Sequence, residues 1–404
     1  MFATINAQKE HKRSKNLLIG CLLLGLAAVP DAMVVPVLHD LTVVKFGVSE
    51  GVAHYFMAVN LLGAVLAIGV LAVLKRRFSS STLFVSAAII SSIMMACMAM
   101  ADSWGLFLAI RCLEGGADIL LLSIPFRLIA GAGNQDRYAG RIGGGFTAMM
   151  IALAIGAGLG GALGGESAES VLWAGSLIMV VLTLIAVNVR SIIDKTPPSP
   201  FPEVNRCPLI PREWVGAGFY AIDRALAALV STSLPILLAS GFNVPKVTLA
   251  VALVGMFLSL AAFSAPAGLL ADRYGGARVR LVASLMCGLS LAGLGLMAWL
   301  PPEIILLPSL LMYGVGASGL MPSAFSVAVR QDASNLVFSS LQTAGQAGFA
   351  IGVLGGGLLI TTISLPADLM FSRMFPIAGV IFIVLNCLLL FALGNMAKRQ
   401  CSDV

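Results

Sequence analysis

Charged side chains are scarce in this sequence. Asp, Glu, Lys and Arg make up 11% of its 404 residues, while 59% are hydrophobic. A soluble domain carries about 25% charge, and so few polar groups cannot cover a water-facing exterior of this size. Cysteine pairing is absent too: the seven cysteines (Cys21, Cys97, Cys112, Cys207, Cys287, Cys387 and Cys401) show no CxxC and no metal-ligand spacing. No phosphate loop of the G-x-x-x-x-G-K-[ST] kind occurs, and no soluble stretch is large enough to hydrolyse a nucleotide. Neither a nucleophile elbow nor H-E-x-x-H is present. Enzyme chemistry, metals and cofactors are therefore not expected. The net charge of +6 invites a nucleic-acid reading. The charges fall instead in short gaps between apolar runs, where topology explains them, and no nucleic-acid partner is expected.

Long apolar runs are what the sequence does have, and glycine is abundant at 43 residues. A bilayer core about 30 Å thick takes roughly 20 apolar residues per helix. Runs between charged or Pro/Gly breaks place twelve helices at about 17–38, 51–74, 82–101, 105–130, 142–165, 170–192, 213–239, 247–270, 279–300, 304–329, 338–363 and 372–396. The lead Lys12-Arg13-Ser14-Lys15 resembles a signal peptide. The apolar run after it is too long and lacks an A-x-A site, so it reads as helix 1. Alternate gaps differ in charge. One side carries the basic N-terminus, Lys75-Arg76-Arg77, Arg137, Arg141, Arg190, Lys195, Arg206, Arg212, Arg273, Arg278, Arg280, Arg330, Lys398 and Arg399; the other has Lys45, Lys246 and Arg373. The positive-inside rule puts the rich side and both termini in the cytoplasm. Thr196-Pro-Pro-Ser-Pro-Phe-Pro202 stiffens the longest gap. The expected organisation is an all-α bundle at 1–192, a cytoplasmic linker at 193–212 and a second bundle at 213–404. The chain would be an integral, multi-pass protein of a bacterial inner membrane.

The two halves show weak internal similarity. Asp31 matches Asp223, Leu71-Ala72 matches Leu270-Ala271, and Gly156, Gly160 and Gly161 match Gly352, Gly356 and Gly357. Six helices return a chain to its starting side, so the halves would share one orientation.

Local motifs sharpen this. Gly268-Leu-Leu-Ala-Asp272-Arg273-Tyr-Gly275-Gly-Ala-Arg278 is a glycine turn carrying an acid and arginines. It resembles the loop motif of the major facilitator superfamily. The first-half copy, Gly69-Val-Leu-Ala-Val73-Leu-Lys75-Arg76-Arg77, has Val73 where the acid belongs. Arg111-Cys-Leu-Glu114-Gly115 resembles the family's R-x-x-Q-G. Gly156, Gly160, Gly161, Gly164 and Gly165 follow its antiporter glycine pattern, with Gly161 in place of proline. The same spacing is also what plain helix packing uses. The resemblance implies a twelve-helix fold of two six-helix bundles with both termini inside, working as a monomer by alternating access. It implies a small-molecule substrate, protons as the coupling ion, and a gate at Gly268, Asp272, Arg273, Gly275 and Arg278.

Charges inside apolar helices are costly, at least about 2.5–3.5 kcal/mol each, and are functional candidates for that reason. Asp31 lies between Pro30 and Pro36. Arg111, Glu114 and Asp118 share one face of helix 4 at i, i+3 and i+7. Asp31 is expected to meet Arg111 or Glu114, and Asp223 with Arg224 to form a similar pair in the second half. Tyr220, Gln342, Thr343 and Gln346 add neutral hydrogen-bonding groups, useful for a substrate wall or for helix contacts. His39 falls in the first outer loop and His54 at the start of helix 2. The reading is export of a small organic molecule by proton antiport. Its rivals are an uptake symporter or uniporter for a metabolite, siderophore or organic anion, and a non-transporting sensor or assembly partner.

Overall fold

The structure, a computed structural model, describes residues 2–74, 77–131, 138–165, 167–194, 211–328, 335–363 and 365–402. Among these the regular structure is helical throughout: α1 (Phe2–Val34), α2 (Glu50–Ala53), α3 (Tyr55–Leu74), α4 (Ser80–Ala99), α5 (Trp104–Gly131), α6 (Tyr138–Leu163) and α7 (Ala168–Asn188). There follow α8 (Arg190–Asp194), α9 (Pro211–Phe242), α10 (Lys246–Tyr274), α11 (Gly276–Leu294), α12 (Pro302–Ala328), α13 (Asn335–Thr362) and α14 (Ala367–Ser402). Eleven segments of the described residues are long and apolar enough to cross a bilayer. The twelfth, α5, has the length, about 42 Å for its 28 residues, and carries the charges Arg111, Glu114, Asp118 and Arg127. Large apolar side chains such as Leu66, Leu113, Leu177 and Phe391 point outward, as a lipid solvent requires.

The chain forms two compact units, Met1–Phe46 with Phe56–Pro200, and Gly47–Tyr55 with Phe201–Val404. The expected linker at 193–212 lies almost entirely outside the described residues. Within the first unit, glycines set the helix spacing. A Cβ on Gly156 would fall 2.3 Å from the Val29 carbonyl oxygen, and one on Gly160 would fall 2.0 Å from that of Met33. Gly164 would meet Val37 Cγ1 at 2.1 Å. These glycines let α6 lie directly on α1, on either side of Asp31. A Cβ on Gly115 would collide with the Asn60 carbonyl and one on Gly63 with that of Cys112, so only glycine lets α3 lie this close to α5.

The second unit repeats the device. A Cβ on Gly348 or Gly352 of α13 would collide with the carbonyl of Ala221 or Ala225 on α9. Gly156 to Gly352 and Val29 to Ala225 are both steps of 196 residues. That register pairs Asp31 with Ala227 and Asp223 with Ala27. The expected match of Asp31 with Asp223 is thus displaced by one helical turn, because identity of residue type is a weaker guide than backbone contact.

Three expected boundaries change. The sequence pattern ends helix 1 near 38 and leaves His39 and Lys45 in a loop. It continues instead through a 3-10 turn (Val35–Val37) and a π turn (Asp40–Val44) to Phe46. Pro36 sits in the first turn of that 3-10 segment, where its missing N–H costs nothing. Lys45 then reaches the Ala99 carbonyl (3.1 Å) and Glu169 (3.3 Å). Helix 2 opens as the short α2, capped by Ser49, and breaks at His54 before α3. Helix 6 stops at Asn188, and α8 turns back so that Asp194 accepts from the Ser81 N–H (2.9 Å) and hydroxyl (2.7 Å). Burial pushes the Asp194 carboxyl up, but the Ser81 and Ser79 hydrogen bonds and nearby Arg127 outweigh this and leave it below its ordinary pKa.

Candidate functional site

The first unit gathers Asp31, Arg111, Glu114 and Asp118 into one cluster. Spacing along α5 places the last three on one face, and α1 packs against α5, with Gly20 against Ile129 and the Pro125 carbonyl, so that Asp31 joins them. The Arg111 guanidinium donates to Glu114, and its other terminal nitrogen stands 3.4 Å from Asp31 Oδ1. It also lies over the Phe56 ring, 4.6 Å from the centroid. Arg111 and Glu114 are buried; Asp31 and Asp118 are half-buried. Sequence reading missed Asn60 and Ser91. Asn60 Nδ2 donates to both Glu114 (3.2 Å) and Asp118 (2.9 Å), and Ser91 Oγ stands 3.4 Å from Glu114 Oε1. The signal for Asn60 was present as one amide inside an apolar run opposite Gly115.

Carboxylate oxygens of Asp31, Glu114 and Asp118 lie within 4.8 Å of one another. That spacing would suit a cation. The oxygens, however, already face N–H donors from Arg111 and Asn60, a donor set that suits shared protons better than a resident metal.

The second unit holds a different arrangement. Asp223 does not pair with Arg224; its partner is Arg280, expected at a loop edge and instead fully buried. Arg280 donates from its terminal nitrogens to both Asp223 oxygens (2.7 and 2.5 Å), to the Leu320 carbonyl (3.0 Å) and to the Phe219 carbonyl (3.2 Å). Its Nε donates to Asn386 (2.7 Å). All five N–H groups are thereby used. Counting Arg280 with the basic loop residues hid it, since an arginine four residues into a helix scores as loop charge. A long side chain lets it fold back between α9, α12 and α14.

Arg224 lies over the Phe349 ring of α13, 5.0 Å from the centroid. Tyr220 is buried, with its ring beside Gly345. Gln346 is exposed, and the side chain of Gln342 lies outside the described residues. In the loop motif Gly275 has φ +89°, a conformation glycine adopts without strain. Gly268 has open space around it. Arg273 covers the Tyr274 ring at 5.3 Å, and Arg278 is exposed. The Asp272 side chain lies outside the described residues. His54 is buried, with Nδ1 2.8 Å from the Glu50 carbonyl and Nε2 2.8 Å from Ser233 Oγ.

Two helical units with charges concentrated inside apolar helices define a polytopic membrane protein of the transporter class. The family model described as Major Facilitator Superfamily matches residues 20–330, and the chain belongs to that family. No curated protein matches it in sequence. Among solved structures, an inward-facing, occupied bacterial homologue of the human lysosomal transporter Spinster is 14% identical. It aligns over 95% of this chain and 97% of its own, with a TM-score of 0.71. The nucleoside transporter NupG is 16% identical over 94% and 99%, TM-score 0.63. The tetrameric PepTSo2 is 11% identical over 96% and 100%, TM-score 0.71. At these identities the likeness shows the fold. The family makes the chain a secondary transporter of small molecules, not an enzyme.

Proposed function

We propose that the chain exports a small organic molecule by proton antiport and alternating access, with the Asp31–Arg111–Glu114–Asp118 cluster carrying the proton. The observation that supports this is a charge imbalance. Three carboxylates face one guanidinium, so full ionisation would leave two uncompensated negative charges in an apolar helix bundle. Adjacent carboxylates cannot all stay ionised at low cost, and a shared proton relieves the repulsion. Taking up that proton would neutralise a carboxylate, loosen the hold of Asp118 and Glu114 on Asn60 and Arg111, and so bias α3 and α5 toward a second arrangement.

In the same reading the termini face the cytoplasm of a bacterial inner membrane, the protein acts as a monomer, and Tyr220 and Gln346 contribute to the substrate wall. The turn at Gly268, Asp272, Arg273, Gly275 and Arg278 acts as the gate. Reconstitution in proteoliposomes with an imposed pH gradient tests the coupling. Antiport predicts substrate flux opposite to the proton, abolished by Asp118→Asn; accumulation in the proton's own direction sinks it.

A further inference from the structure

Six arginines with described side chains lie in membrane-spanning helices: Arg278 is exposed near the start of α11, Arg373 lies near the start of α14, and of the other four three have oxygen partners. Arg111 is held by Asp31 and Glu114, Arg127 by the Ser80 hydroxyl at 2.7 Å, and Arg280 by Asp223. Arg224 has neither a hydrogen-bond nor an ion-pair partner among the described residues; its contact is the Phe349 ring. It is half-buried, and Gly345 makes room for its stem, since a Cβ there would stand 3.2 Å from Arg224 Cγ. Its chain neighbour Asp223 is saturated by Arg280 and has no need of a second cation.

We propose that Arg224, seated on Phe349 and beside Tyr220, is the binding point for the carboxylate of an amphipathic monoanion. This deepens the transport reading and rests on it. A lone guanidinium has a fork of N–H donors that matches one carboxylate in two parallel bonds. The ring beneath it fixes the plane of that fork, and the half-buried Phe349 ring offers an apolar surface for the rest of the ligand. Arg111 cannot serve the same role, because two acids of its own unit already occupy its terminal nitrogens. One unpaired cation calls for one negative charge, which favours monocarboxylates over polyanions.

Benzoate is the probe, with benzamide as its neutral isostere. Thermal melting of the purified full-length protein in detergent should show a benzoate-dependent rise in Tm that benzamide does not produce. Arg224→Gln should weaken benzoate binding at least tenfold, and Arg224→Lys should restore part of it. Should Arg224→Gln fail to fold, Phe349→Leu keeps the guanidinium and frees its orientation, and benzoate affinity should still fall several-fold. The proposal is overturned if benzoate gives no shift, if benzamide matches it, or if the shift persists undiminished in the folded variants. Asp118→Asn separates the two readings: it should keep the benzoate shift while losing pH-driven flux. A benzoate shift without any proton-driven flux in the unaltered protein would leave the anion site standing and remove antiport.

Discussion

Single residues in this protein differ sharply in what their neighbours demand of them. Arg280 and Asp223 are a closed pair with every guanidinium N–H occupied. Removing one partner of such a pair leaves a buried charge and costs about 3–5 kcal/mol, whereas replacing both by apolar groups is close to neutral. Arg280→Met should therefore lower the melting temperature strongly, and adding Asp223→Leu should recover most of the loss; equal Tm values for the single and double variants would contradict this. Asn60 differs, because its two acceptors belong to the candidate proton site. Asn60→Ala should cost about 1–2 kcal/mol of stability but shift the pH profile of flux, whereas a merely structural amide would leave that profile in place. The acids and Arg111 were legible in the sequence, since charge in an apolar run is conspicuous. Asn60, Ser91 and the burial of Arg280 were not, since a neutral amide among leucines and an arginine near a helix start look unremarkable until helices are packed.

Elements are held together by glycine contacts and by one cap supplied from outside the helix. Gly160→Val would put a side chain into the Met33 carbonyl, so α1 and α6 must separate; loss of folded protein on size-exclusion chromatography is expected. Gly268→Ala meets nothing within 4 Å and should express and melt normally. The Asp194 carboxylate caps the first turn of α4. Its folded pKa is lowered relative to the unfolded chain, so its contribution to stability is present above the unfolded carboxyl pKa and is lost as pH falls through the folded one. The melting difference between the unaltered protein and Asp194→Asn should thus be greatest near neutral pH and shrink toward zero in acid. Helix number was readable from apolar length. Helix ends were less so, because Pro36 and His54 look like breaks in one dimension, while in three they sit in a 3-10 turn and at a short helical junction whose polar groups find partners.

For the molecule as a whole, charge movement joins the two proposals. A proton moving in as a monoanion moves out carries two charges in the same electrical sense. Each charge is worth about 2.3 kcal/mol per 100 mV, so an inside-negative potential should drive benzoate export even without a pH gradient. Valinomycin-clamped proteoliposomes measure this directly; flux indifferent to potential would exclude that stoichiometry.

Composition alone determined that lipid is the solvent, because 11% charge leaves no other way to shield so much apolar surface. Hydrophobic length and loop motifs determined the helix plan and the family. Only the tertiary structure decided which charges meet. Side chains 80 residues apart, as Asp31 and Arg111 are, come within reach when α1 packs against α5, and that depends on helix register rather than on any local pattern. The same register turned Arg280 inward as the partner of Asp223 and left Arg224 over the Phe349 ring.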